Sequence, residues 1–223
     1  MDNLQGIPGV CVYINDILIT GTNDEDNLDH LDEVLHRLAE AGMRLKEGKC
    51  AYLLPSVENL GHIHSAEGLG TSDSKVSGIL RAPAPKNLAE LRSFLGLVNY
   101  YGKFLPDLAT TLSPLYDLLQ KQKKWSWGPS EVEAFNKVKE LLKSSRVLVH
   151  LDPQLPLILS CDASPYGLGA VLSHRMPSGE ERPMGFVSRT LTAAEWKYSQ
   201  LDKEALASVF GVKRYHLKGE LTC

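Results

Sequence analysis

The stretch LILSCDASPYGLGAVLSHRMPSGEERPMGFVSR, residues 157–189, decides the class of fold. It contains three apolar runs: LILSCD (157–162), GAVLSHR (169–175) and PMGFVSR (183–189). The turn-forming tetrads SPYG and PSGE separate them, and connections this short join strands in antiparallel order. Thr192, with Glu195 three residues on, has the form of a capping box and predicts a long helix reaching about Tyr215. From about residue 151 the chain therefore reads as a small α/β or α+β unit.

Pro153 and Pro156 punctuate the chain before this unit, and the pattern upstream of them is helical. A helix is predicted from Ser130, with Glu133 three residues on and Phe135, Val138, Leu141 and Leu142 on its buried face. Another is predicted after Ser113, with Pro114 at its first position. Asn87-Leu88-Ala89-Glu90 resembles a capping box and opens a third, whose apolar face is Leu88, Leu91, Phe94, Leu95 and Val98. Residues 43–70 read as short strands joined by glycine turns. A helix over about 26–41 has Leu28, Leu31, Val34, Leu35 and Leu38 on one face, and Gly42 follows its end. Before it, VCVYI (10–14) and ILIT (17–20) flank Asn15-Asp16, a hairpin signature with a two-residue turn. The organisation is α+β throughout, in three parts: 1–74 with strands and a helix, 75–150 helical, and 151–223 with the meander.

Composition narrows the function classes. The 223 residues are 43% hydrophobic and 23% charged, which argues against a disordered tail, a collagen-like rod or a coiled coil. The net charge of −3 advertises no global affinity for nucleic acid, but its distribution is uneven. Residues 1–74 carry 4 basic and 13 acidic side chains (net −9), residues 75–150 carry 12 and 6 (net +6), and the remainder carry 8 and 8. The middle part is therefore the one able to attract a phosphate backbone, although Lys121, Lys123 and Lys124 would equally solvate a helix end. Cys11, Cys50, Cys161 and Cys223 are widely spaced and read as reduced thiols of an intracellular protein. No apolar run has the length of a membrane span, and residues 1–10 lack the pattern of a secretory signal.

On residue type alone, the candidate chemistry has ordinary structural explanations. Asp16 suits a tight turn, Asp162 a strand-end cap, and Glu204 a solvated helix face. The seven histidines show no zinc-binding spacing. Gly167-Leu168-Gly169 lacks the third glycine of a dinucleotide loop and leads into a strand.

The order of the longer motifs goes further. VYINDILITG (12–21), LGHIHSAEGL (60–69), LRSFLGLVNYYGKFLPDLATTLSPLYDLL (91–119), WSWGPSEVEAFNKVKELL (125–142), LSCDASPYGLGAVLSH (159–174) and SRTLTAAEWKYSQLDKEALA (188–207) follow one another. Together they closely resemble the polymerase–ribonuclease H segment of Pol polyproteins from gypsy-type long-terminal-repeat retrotransposons. The resemblance implies a partial reverse-transcriptase palm over 1–74, thumb and connection helices over 75–150, and a truncated RNase H-like α/β domain over 151–223. It also implies an RNA–DNA hybrid or primer-template as partner, with other Pol segments. Tyr13 would belong to the catalytic hairpin, and Leu60, Gly61 and His62 to the stretch that grips the primer end. Asp16 in the palm, and Asp162 and Glu204 in the RNase H-like part, would descend from ligands of paired magnesium (or manganese) ions.

The sequence departs from that family at both sites. Two dications held roughly 3.5–4 Å apart need several carboxylates to offset their repulsion. Asn15 stands where the family has its first hairpin aspartate, so one anionic charge is lost. The family's upstream palm aspartate would precede residue 1, and its third and fourth RNase H acids would follow the present end; Glu220 lies in no matching motif. The expectation is a chain that binds nucleic acid, holds metal weakly or not at all, and is catalytically incomplete alone. Unpaired strand edges are expected to favour self-association.

Overall fold

The computed structural model describes residues 2–120, 123–145 and 147–216. Lys121, Glu220 and Cys223, and the side chain of His216, lie outside the described residues. The first hairpin pairs β1 (Val10–Tyr13) with β2 (Asp16–Ile19). Tyr13 faces Asp16 across the ladder, so the turn residues are Ile14 and Asn15, one position earlier than the sequence suggests. Ile14 takes φ +52°, a conformation that costs a β-branched residue about 1–2 kcal/mol. A two-residue connection that matches strand twist needs positive φ at its first central position, and here isoleucine supplies it. Asp16 therefore opens a strand instead of occupying the turn.

Helix α1 spans Asp24–Glu40, capped by Asn23, which accepts from the Asp26 N–H at 2.9 Å. Of the five apolar residues expected on its inner face, Val34 and Leu38 are buried and Leu28 and Leu35 are exposed. The reason is the small partner: the helix packs on a two-stranded hairpin and the segment around Leu4 and Ile7, too little surface to cover a wide stripe.

A second sheet follows, β3 (Ser56–Asn59), β4 (His62–Ser65) and β5 (Gly68–Thr71), all antiparallel. It is tied to the middle of the chain by reciprocal backbone bonds between Leu69 and Leu148, at 2.7 and 2.9 Å. Gly68 makes this possible: at φ +140° a Cβ there would lie 2.1 Å from the Leu148 carbonyl oxygen. Four helices come next: α2 (Asp73–Arg81), α3 (Leu88–Tyr100), α4 (Leu108–Asp117) and α5 (Pro129–Lys143). They bury Leu91, Val98, Phe104, Leu112, Leu115 and Val138 in the largest core.

The α3 cap is as read: Asn87 Oδ1 accepts from the Glu90 N–H at 2.9 Å. Helix α4 differs, starting at Leu108 with Pro114 in its interior instead of at its first turn. Burial of Leu108, Ala109, Leu112 and Leu115 outweighs the backbone bond that the proline forfeits. Helix α5 also starts earlier, because the Glu131 carboxylate accepts from the Gly128 N–H at 2.9 Å and Pro129 takes the first position.

The third sheet is the expected meander, in the order β6 (Leu157–Ala163), β7 (Gly167–Arg175), β8 (Glu181–Thr190), with a bulge at Leu172/Ser173. Helix α6 (Gln200–His216) lies on it. It begins eight residues after the predicted cap. The Thr192–Glu195 pairing forms, but it closes a short 3-10 turn over Glu195–Lys197. Ser199 starts the helix instead, its hydroxyl accepting from the Asp202 N–H at 3.2 Å. Close helix–sheet contact depends on Gly211, where a Cβ would fall 2.6 Å from Cys161 Sγ. Fully buried His174 accepts from the Asp152 N–H at 2.9 Å and pins the entry segment to the sheet.

Candidate nucleic-acid interface

The turn joining β3 to β4 carries Leu60 and Gly61, both at positive φ (+50° and +74°). His62 follows as the first residue of β4 and is only 9% exposed. It stacks on Tyr100 at 5.1 Å with an interplanar angle of 1° and meets Tyr101 edge-on at 5.6 Å. Its Nδ1 is buried with no hydrogen-bond partner among the described residues. Burial, then the charge of Lys103, then that of His64, hold the imidazole's pKa down to about 4, so it is neutral near pH 7.

His62, Tyr100 and Lys103 line one wall of a cleft of about 840 Å³. The facing wall is Phe186 to Thr190 on β8 with Phe210 and Arg214 on α6. Lys103, Arg189 and Arg214 all reach it, and among the described residues no carboxylate lines it. Arg189 is oriented by a bidentate pair with Glu195 at 2.7 and 2.8 Å and lies 5.5 Å from the Phe210 ring. That guanidinium, with the Thr192 N–H, holds the Glu195 carboxyl down to about 2.

The predicted acidic residues lie on three elements, β2, β6 and α6, the last two linked through Gln200. Asp16, beside Tyr13, sits at the exposed tip of the first hairpin, with Tyr13 half exposed. Asp162 is exposed on β6, paired with Gly169. Glu204 lies on α6, where its carboxylate accepts from Gln200 Nε2 at 2.6 Å. The same amide nitrogen donates to the Ala163 carbonyl at 2.9 Å, so Gln200 staples Glu204 to the strand end next to Asp162. Among the described residues no group of three or more His, Cys, Asp or Glu side chains is placed to hold a metal ion. This donor set does not fit a pair of divalent cations.

Leu60, Gly61 and His62 are legible in the sequence, whereas Lys103, Arg189, Arg214 and Gln200 carry no local signal of a role. The basic excess of residues 75–150 was the one signal that pointed toward Lys103. The two arginines come from a part of neutral net charge and become visible only when α6 and β8 converge.

Comparison with known proteins accords with this geometry. Residues 127–218 match the family described as "RNase H-like domain found in reverse transcriptase". The Tf2-3 and Tf2-7 transposon polyproteins of Schizosaccharomyces pombe are each 34% identical over 206 residues, 92% of this chain. The chain spans only 16% of the length of those relatives. A foamy viral protease-reverse transcriptase dRH in complex with double-stranded DNA superposes with a TM-score of 0.83 at 26% identity, over 96% of this chain and 38% of that one. The foamy viral protease-reverse transcriptase in complex with an RNA/DNA hybrid gives 0.79 at 26% identity, over 96% and 29%. The chain is thus similar to retrotransposon polyproteins along almost its whole length, and residues 127–218 match the RNase H-like domain found in reverse transcriptases.

Proposed function

We propose that this segment holds a nucleic-acid duplex, an RNA–DNA hybrid or primer-template, and does not by itself complete a two-metal catalytic centre. The observation that carries the reading is the cleft, lined among the described residues by Lys103, Arg214 and the Glu195-paired Arg189 and by no carboxylate. Lys103 and Arg214 supply positive charge for phosphates, and Tyr100 stacked on His62 offers a flat apolar surface to sugar or base. The complexes of the foamy viral relatives with double-stranded DNA and hybrid support the same reading. Polymerisation and strand cleavage need concentrated anionic charge for two cations, which Asn15, Asp16, Asp162 and Glu204 do not offer. The setting is intracellular, where widely spaced thiols stay reduced.

The test is fluorescence anisotropy with a labelled RNA–DNA hybrid across a salt series. Two phosphate contacts, from Lys103 and Arg214, predict a fall of about 12-fold in affinity between 50 and 200 mM salt. Absent or salt-independent binding would refute the proposal. A second reading, a catalytic fragment contributing to RNA removal, is favoured by one observation: Gln200 links the Glu204 carboxylate to the strand end bearing Asp162. Release of RNA fragments with Mg²⁺ or Mn²⁺, abolished by Asp162→Asn, would establish it.

A further inference from the structure

The β3–β4 turn is held from outside by two phenols. The Tyr100 hydroxyl donates to the Leu60 carbonyl, and the Tyr101 hydroxyl donates to the Gly61 carbonyl at 3.2 Å. The Gly61 carbonyl also accepts from the Ser72 N–H at 3.1 Å, ahead of α2. Consecutive carbonyls of one turn are therefore anchored to consecutive residues at the end of α3. The turn needs such an anchor, because Leu60 is a bulky residue in left-handed conformation and such residues persist only where their surroundings over-determine them. Space is already committed there: a Cβ on Gly61 would lie 3.0 Å from Tyr101 Oη.

The two tyrosines are not equivalent to ordinary core aromatics. Tyr101 is buried, but Tyr100 is 50% exposed and lines the cleft together with His62 and Lys103. Its ring supports the His62 imidazole while its hydroxyl fixes the preceding turn. From this geometry we infer that Tyr100 and Tyr101 are positioning residues: they set the turn at Leu60–Gly61, and with it His62, at the height where the cleft wall meets a nucleic-acid backbone. The inference rests on the nucleic-acid reading above and deepens it by naming what orients the gripping turn.

The experiment uses the full chain and the Tyr100→Phe/Tyr101→Phe double variant, which keeps both rings and removes both donors. Binding of a labelled RNA–DNA hybrid is measured across a salt series, at a temperature where circular dichroism shows both proteins folded. The expected result is about 10-fold weaker binding with the salt slope kept, because neither the phenols nor the neutral His62 supplies a cationic phosphate contact. Gly61→Ala, which displaces the Tyr101 phenol, is expected to weaken binding likewise. Unchanged affinity in the double variant, even with a lower Tm, would overturn the inference, because a purely structural pair moves only Tm. If the unaltered chain binds no hybrid, the functional reading fails separately, and amide hydrogen exchange at Gly61 and His62 decides the clamp. Faster exchange in the double variant would support it, and unchanged protection would overturn it.

Discussion

Acidification from pH 7 to pH 5 should destabilise this protein through His62, and the size can be worked out. In the fold the imidazole is wedged among Tyr100, Tyr101 and Phe104 with Lys103 nearby, and its pKa is held down to about 4 from 6.5. The folded form stays neutral while the unfolded chain takes up a proton below about pH 6.5. The unfolded state thus binds more protons between pH 6.5 and 4, and stability falls as pH drops through that window. Linkage puts the loss at about 2 kcal/mol between pH 7 and 5, approaching about 3 kcal/mol at pH 4. Urea unfolding at pH 7, 6 and 5 would compare the chain with His62→Phe. That variant keeps a ring against Tyr100 and removes the buried Nδ1. His64, whose pKa is also lowered by burial first and then by Lys103, adds a slope of the same sign to both proteins, so their difference reports His62. Parallel pH profiles for the two would refute the reasoning.

Other perturbations test the remaining joints of the structure. Glu195→Gln removes the bidentate partner of Arg189 and should cost about 1–2 kcal/mol at pH 7, discounted for solvent screening. Since the folded carboxyl is held down to about 2, that stability is full above the ordinary carboxylate pKa of 4.5 and is lost as pH falls toward 2. The two proteins should therefore converge in acid unfolding curves. Gly211→Ala forces a methyl group to 2.6 Å from Cys161 Sγ and should lower stability by about 1–3 kcal/mol in thermal melts, with Cys161→Ala relieving part of the loss. Leu201, Val209 and Val212 stand exposed on α6, so sedimentation should show concentration-dependent association with a second copy, reduced by Leu201→Glu.

Legibility followed the range of the interactions. The α3 cap, the first hairpin and the β6–β8 meander are set by residues a few positions apart, and local signals located them. Helix α2 escaped notice because it is short, carries Gly78 and has no side-chain cap; the Ser72 hydroxyl that would cap it bonds to Glu58 at 2.7 Å instead. The starts of α4 and α6 lie away from their local start signals for a related reason. Pro114 and Thr192–Glu195 are genuine start signals, but burial of Leu108 and Leu112 overrides the first, and a single 3-10 turn consumes the second. The tyrosine clamp spans 40 residues of sequence, and no local pattern announces a phenol that will bond to a distant carbonyl.

Holding nucleic acid and cleaving or extending it place opposite electrostatic demands on one chain. A duplex backbone is held by cations spread along a surface, each contributing a modest, salt-sensitive amount. A two-metal centre needs several anionic oxygens converging within a few ångströms. On the proposed reading, an asparagine at position 15 in place of a hairpin carboxylate would remove charge from the second kind of site without disturbing the packing beneath it. Val10, Val12, Ile17 and Ile19 still close on Val34 and Leu38 whichever side chain occupies the turn. The cleft between β8, α6 and the end of α3 is likewise built on apolar burial and on Arg189–Glu195, none of which depends on a metal. On the proposed reading, fold and grip would therefore persist even where metal-binding chemistry is depleted, so binding and turnover must be assayed separately.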